Sequence, residues 1–187
     1  MKYKIIWIGW FTVLGFGLVG LALVWFFQDI EIGELFSRGW PLGWQLLLGV
    51  FTGMVASGIA WFLITRSFFD KQRVFYRDMI NRWSWTPSTI LFVSFCAGVG
   101  EELFFRAGLQ PLLGLWETSI LFVLLHGYLN PFNWRISVYG VVMVFIISCF
   151  GYLFERTGIY TAMTAHAVFD WVLLSWMTGR LGKPPVS

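Results

Sequence analysis

The sequence predicts an all-α protein: a polytopic membrane helix bundle of about six transmembrane helices. Three observations predict it. Hydrophobic residues make up 58% of the chain and charged residues only 12%, against about 25% charge in a soluble domain. Long apolar runs recur along the chain, divided by short polar or proline-bearing breaks. Most of these runs reach the roughly 20 residues that a helix needs to cross a bilayer.

The first predicted span is Ile5–Phe27, behind Lys2 and Lys4. It is too long for a signal-peptide core and lacks a small-residue cleavage site, so it reads as a retained span. A polar connector, Gln28–Gly43, carries Asp29, Glu31 and Glu34 and leads to the second span, Trp44–Ile64. Thr65–Thr86 holds Arg66, Lys71, Arg73, Arg77 and Arg82, with Phe68, Phe69, Phe75, Tyr76, Met79, Ile80 and Trp83 at roughly helical spacing. That pattern predicts an amphipathic helix on the membrane surface, its basic face towards anionic headgroups. Pro87 suits the first turn of a third span, expected to run to about Leu109 and to break at Gln110-Pro111. A fourth runs from Leu112 or Trp116 to Leu129, ended by Asn130-Pro131. The fifth is about Arg135–Phe154 and the sixth Ile159–Met177, joined by Glu155–Gly158 and followed by the polar tail Gly179–Ser187. The whole, residues 1–187, reads as one membrane domain.

Six spans put both termini on one side. Of the 13 lysines and arginines, all but Arg38, Arg106 and Arg156 fall on that side. The excess of positive charge places the termini in the cytoplasm, in a membrane of bacterial cell type, with the acidic connector outside. The pI near 9 therefore reads as topology, and no nucleic-acid partner is expected. Cys96 and Cys149 both lie in apolar runs without metal or redox spacing, and read as free buried thiols.

The chemistry concentrates in a few polar residues inside spans. Glu101 and Glu102 stand side by side, with Arg106 four residues after the second. Ionisable groups at membrane depth are costly and mark functional sites. Glu102 and Arg106 share a helix face and can pair, which offsets part of the desolvation of both. Glu101 is turned about 100° away and lacks that partner, so it is the candidate general base; a purely structural ion pair is the alternative for Glu102 and Arg106. The only two histidines, His126 and His166, also lie in spans, and Asp170 sits one turn after His166, where it can orient the ring. Alone, His126 could be a packing residue and His166–Asp170 a structural bridge.

Depth brings them together. With Arg106 taken as marking the outer interface and a rise of about 1.5 Å per residue, Glu101 lies roughly 8–10 Å deep. His126 and His166 come to roughly 13 and 12 Å by the same rise. A buried Glu, two His and an Asp can activate water against a scissile carbonyl, either directly or through a metal such as zinc. Ala97, Gly98, Gly100, Ala107 and Gly108 would let a substrate backbone or a neighbouring helix approach closely. A proton-relay transporter and a haem held by both histidines are weaker readings, since no repeat-related broken spans occur and the carboxylates suit no haem site.

Glu101-Glu102-x-x-x-Arg106, then Phe122-x-x-x-His126, then His166-x-x-x-Asp170, on successive spans, resembles the CAAX-protease and bacteriocin-processing (CPBP, or Abi) family of intramembrane proteases. The likeness covers about residues 87–176. It implies a membrane endopeptidase acting on a membrane-associated peptide or protein. Its eukaryotic relatives remove the last three residues of prenylated CAAX proteins, and bacterial ones are linked to bacteriocin maturation or self-immunity. By this resemblance Glu101 and His126 activate water, while His166 and Asp170 bind the oxyanion or organise the site. No cofactor is required on this reading; zinc, held by Glu101, His126 and His166, is the alternative. Asp170 departs from the common Asn, and an anionic Asp would repel an oxyanion. The charge count tilts the site towards the outer face, which argues against cytosolic prenylated substrates. The alternative function is a non-catalytic immunity or partner-binding protein of the same fold.

Overall fold

A computed structural model describes residues 2–179; the expected polar tail lies almost wholly outside these. The described residues form helices and connections, with no strand. Helix α1 is continuous through Lys2–Phe11, a π-turn at Thr12–Phe16, and Gly17–Phe27. The connector is not wholly irregular: it contains a short helix, α2 (Ile32–Ser37). Helix α3 is Leu42–Ile64. A 3₁₀ turn, Ser67–Phe69, leads into α4 (Asp70–Asn81), the amphipathic helix. Helix α5 starts at Pro87, behind a Thr86/Thr89 capping box, and runs to Leu113. Helices α6 (Leu115–Leu125), α7 (Trp134–Thr157) and α8 (Ile159–Met177) complete the bundle. Gly114 and Gly158, at φ +101° and +115°, each reverse the chain in one residue, a backbone state that costs glycine least.

Helix directions follow from the contacts. Gly9 lies against Phe92 and Gly20 against Leu103, so α1 runs parallel to α5. The connector is tied to the end of α7 by a Trp40 N–H bond to Thr157 O, 2.8 Å. At the opposite end Gln72 of α4 meets Asn133, just before α7. The chain thus passes between the two ends of the bundle six times. Among the described residues four helices are long and apolar enough to cross a membrane: Lys4–Phe27, Leu42–Ile64, Pro87–Leu113 and Trp134–Thr157. The other two passes differ. Helix α8 has 19 residues and carries His166 and Asp170.

Helix α6 corrects the expected fourth span. It has 11 residues, about 16 Å at the standard rise, so it goes roughly half way. Residues 126–133 complete the return without helix. The helix stops in a glycine cap: Gly127 N–H bonds Leu124 O and Tyr128 N–H bonds Val123 O, with Gly127 at φ +76°. Non-helical backbone at membrane depth persists where protein covers it or it lines a cavity. Here Tyr128 packs against Gly140 of α7.

Helix α5 does not break at Gln110-Pro111 either. It loosens into a π-helix over Leu103–Leu109 and continues to Leu113. Pro111 has no N–H to give the carbonyl one turn back, and that carbonyl, Ala107 O, instead accepts from Gln28 Nε2 at 2.7 Å. Close helix contact rests on small residues. A Cβ at Gly98 would lie 2.6 Å from Met163 O on α8, and one at Gly53 2.8 Å from Val168 Cβ on α8. Gly100 and Gly108 meet α1. The glycines read as possible substrate clearance are thus filled by neighbouring helices. Apolar side chains such as Trp7, Phe51, Phe62 and Phe95 cover the outer faces. Cys96 is buried, whereas Cys149 is exposed rather than buried as expected.

Candidate active site

The site is built where α5, α6, α7 and α8 meet, in two tiers. The inner tier is closed. Glu102, Arg106 and His166 are buried, at 0%, 0% and 3% exposure. Arg106 Nε bonds Glu102 Oε2 at 3.1 Å, and the other Glu102 oxygen, Oε1, meets His166 Nδ1 at 2.8 Å. A carboxylate paired with arginine only accepts, so His166 Nδ1 carries the hydrogen and Nε2 points elsewhere. The remaining guanidinium nitrogens reach Gln110 Oε1 (3.0 Å), Ser119 Oγ (3.5 Å) and the Ile147 carbonyl (3.1 Å). Gln110 Nε2 continues to Gly151 O and, at 2.7 Å, to Glu155 Oε1. Three helices, α5, α6 and α7, are pinned to one guanidinium, with α8 joined through Glu102, and the buried charge is met by hydrogen bonds on every side.

The outer tier is accessible. The Glu101 side chain is 14% exposed and that of His126 35%, with Glu101 Oε2 and His126 Nε2 3.4 Å apart. No hydrogen bond from a described group reaches Glu101 Oε2. His126 Nδ1 lies 2.7 Å from Phe122 O. A carbonyl only accepts, so this bond puts the ring hydrogen on Nδ1 and aims Nε2 at Glu101. The ring also stacks on Phe122, centroids 4.2 Å apart, and Phe122 in turn packs edge-on against His166 and Phe105. Asp170 is 29% exposed, its Oδ2 3.6 Å from His166 Nε2.

The structure therefore brings all six sequence-selected residues into one cluster, with three revisions. The partner that orients His166 is Glu102, 64 residues away in the chain, since Asp170 stands beyond hydrogen-bonding distance. Arg106 marks no interface: it is fully enclosed, as Glu102 is, so the depth reckoned from it had no valid origin. The third concerns access. A cavity of about 120 Å³ adjoins Asp170 and is lined by Tyr76 and Ile80 of α4 and Met177 of α8. On its Asp170 side the cluster thus adjoins a cavity at the basic end of the bundle, whereas the charge count favoured the connector end. Gln110, Ser119, Glu155 and the Ile147 carbonyl were not legible as parts of the site. Gln110 alone left a signal, four residues after Arg106 on the same face.

Among the described residues no three His, Cys, Asp or Glu side chains are grouped to hold a metal. His166 Nδ1 faces Glu102 and His126 Nδ1 faces Phe122 O, so each ring keeps its Nε2 uncommitted, and these bonds alone do not argue against a metal.

Residues 83–172 match the family described as type II CAAX prenyl endopeptidase Rce1-like. The chain carries an Rce1-like domain. All three motifs lie within it, as do α5, α6 and the start of α8 that supply the site. The Rce1-like domain leaves out α1 to α4, whose contacts come only with the fold. Over 83 residues the chain is 34% identical to the uncharacterized protein YpbD of Bacillus subtilis (strain 168), a stretch that is 43% of this chain and 41% of that protein. The chain thus spans about two fifths of the length of this curated relative. No solved structure matches.

Proposed function

We propose that this integral membrane protein is an intramembrane endopeptidase in which Glu101 and His126 activate water for peptide hydrolysis. The Rce1-like domain supports the class. The single observation that carries the residue assignment is the accessible Glu101–His126 pair, 3.4 Å apart, mounted on a buried Glu102–Arg106–His166 network. A water held between Glu101 and His126 Nε2 loses a proton to the Glu101 carboxylate as its oxygen attacks the scissile carbonyl carbon. His166, kept in place by Glu102, offers its Nε2 side as hydrogen-bond donor to the oxyanion when the ring is protonated. Collapse of the tetrahedral intermediate breaks the C–N bond, and the proton held by Glu101 passes to the leaving amine. Asp170 Oδ2 lies 3.6 Å from the same His166 Nε2, where its charge favours the protonated ring, and the Asp170 side chain also lines the adjoining cavity. No step needs a cofactor.

The test compares membrane peptide ends in cells expressing wild type or Glu101→Gln at equal level. New ends present with wild type and missing with the variant support proteolysis. Identical profiles, with both proteins folded, would sink it and favour a non-catalytic binding or immunity protein.

A further inference from the structure

The 120 Å³ cavity beside the catalytic cluster has an unusual wall for a membrane bundle. Three tyrosines from three elements line it: Tyr76 of α4, Tyr128 of the loop after α6, and Tyr139 of α7. Tyr76 and Tyr128 have ring centroids 5.8 Å apart, and Tyr128 and Tyr139 5.5 Å. The Asp170 carboxylate forms part of the same wall. Among the described residues no hydrogen bond engages Asp170, whose contact with His166 is 3.6 Å. Tyr128 also lies over His126, centroids 6.4 Å apart and rings nearly parallel, so the cavity shares one wall with each half of the reacting cluster.

Aromatic faces attract a cation within about 6 Å of the ring, and a partly buried carboxylate that no hydrogen bond engages attracts one as well. Pockets beside a cluster of this kind hold a side chain of the bound peptide, with apolar walls for its body and a few polar groups for orientation. The apolar wall residues Ile80, Met143 and Leu173 suit a methylene chain, and Asp170 with the tyrosine faces suits a charged tip. We propose that this cavity is a specificity pocket for a basic side chain, lysine or arginine, of the peptide substrate close to the scissile bond, with Asp170 as counter-ion and Tyr76, Tyr128 and Tyr139 as its aromatic cage. Its role in choosing a cleavage site rests on the proteolytic reading; its affinity for a cation does not. Helix α4 forms part of the wall, and its own arginines disfavour cations at the surface, so the cage must supply the selectivity.

The test separates the two. Full-length Glu101→Gln protein in detergent is titrated with N-acetyl-lysine methylamide and with its uncharged counterpart, N-acetyl-norleucine methylamide, by calorimetry. The lysine probe is expected to bind at least about tenfold more tightly, with the preference lost in a second protein that also carries Asp170→Asn and weakened several-fold by Tyr76→Leu, an apolar replacement on the surface helix. Equal binding of the two probes, or a preference that survives both substitutions, overturns the pocket. In wild-type cleavage profiles Lys or Arg should recur at one fixed position within about two residues of the cut. Cuts without such a position overturn the specificity role, whereas absence of any cut with lysine binding intact overturns the proteolytic reading alone.

Discussion

At the scale of single residues, two adjacent glutamates have opposite surroundings. Glu102 spends one oxygen on Arg106 and the other on His166, and no solvent reaches it. Glu101, one position earlier, keeps a buried oxygen without a hydrogen-bond donor and an open side. The difference is angular: one residue along a helix is about 100°, enough to turn one carboxylate into the helix contacts and the other towards His126. Two predictions belong here. Glu101→Gln, nearly isosteric, should lower cleavage by roughly 10²-fold or more without moving the thermal unfolding midpoint. Arg106→Met should instead destabilise the protein by about 3–5 kcal/mol, because it leaves the Glu102 charge buried and uncompensated; adding Glu102→Gln to it should recover part of that loss. A single Arg106→Met variant as stable as wild type would show that the network bears no structural weight.

At the scale of elements, the decisive features are two irregular segments and one tight crossing. The π-helix of α5 follows directly on the glutamate pair, and such segments are frequent at functional sites. Gln28, at the end of α1, supplies the hydrogen bond that Pro111 cannot. Replacing it with leucine should cost about 1–3 kcal/mol, read as a lower unfolding midpoint. The half-length α6 ends at His126 because Gly127 takes a positive φ there, which sets the ring at the edge of the cluster rather than among packed helices. Helices α5 and α8 cross at Gly98 with no room for a Cβ. Gly98→Leu should push them apart, separating Glu102 from His166, and abolish cleavage along with an overpacking cost of about 1–3 kcal/mol. Cleavage at wild-type level in that variant would refute the α5–α8 contact as the support of the site.

At the scale of the whole molecule, the six passes bring Lys4, Arg66, Lys71, Arg73, Arg77, Arg82 and Arg135 to one end of the bundle and leave Arg38 and Arg156 at the other. With Arg106 buried between them, the asymmetry is sharper than a simple count suggests. The positive-inside rule then predicts both described ends of the chain, and the cavity beside Asp170, on the cytoplasmic side. Reporter domains fused before α1 and after α8 should both report from the cytoplasm; an external signal from either would reverse the orientation and the expected location of the substrate.

The sequence by itself determined what composition and short-range spacing encode. Apolar runs gave the helices, because a lipid solvent forces backbone groups to bond within their own segment. The i, i+4 spacing gave the Glu102–Arg106 pair, and the rarity of ionisable groups in apolar runs singled out the six site residues. Only the tertiary structure decided the rest. Glu102 reaches His166 across 64 residues, Arg106 reaches Ile147 O across 41, and Gln28 supports α5 across 79. No periodicity links such positions: they meet because glycines let helices approach to backbone contact. The length of α6 also lay beyond the sequence pattern, since Tyr128 and Leu129 are as apolar as a continuing helix would be. What stopped the helix was a backbone cap and the packing of the following loop on α7.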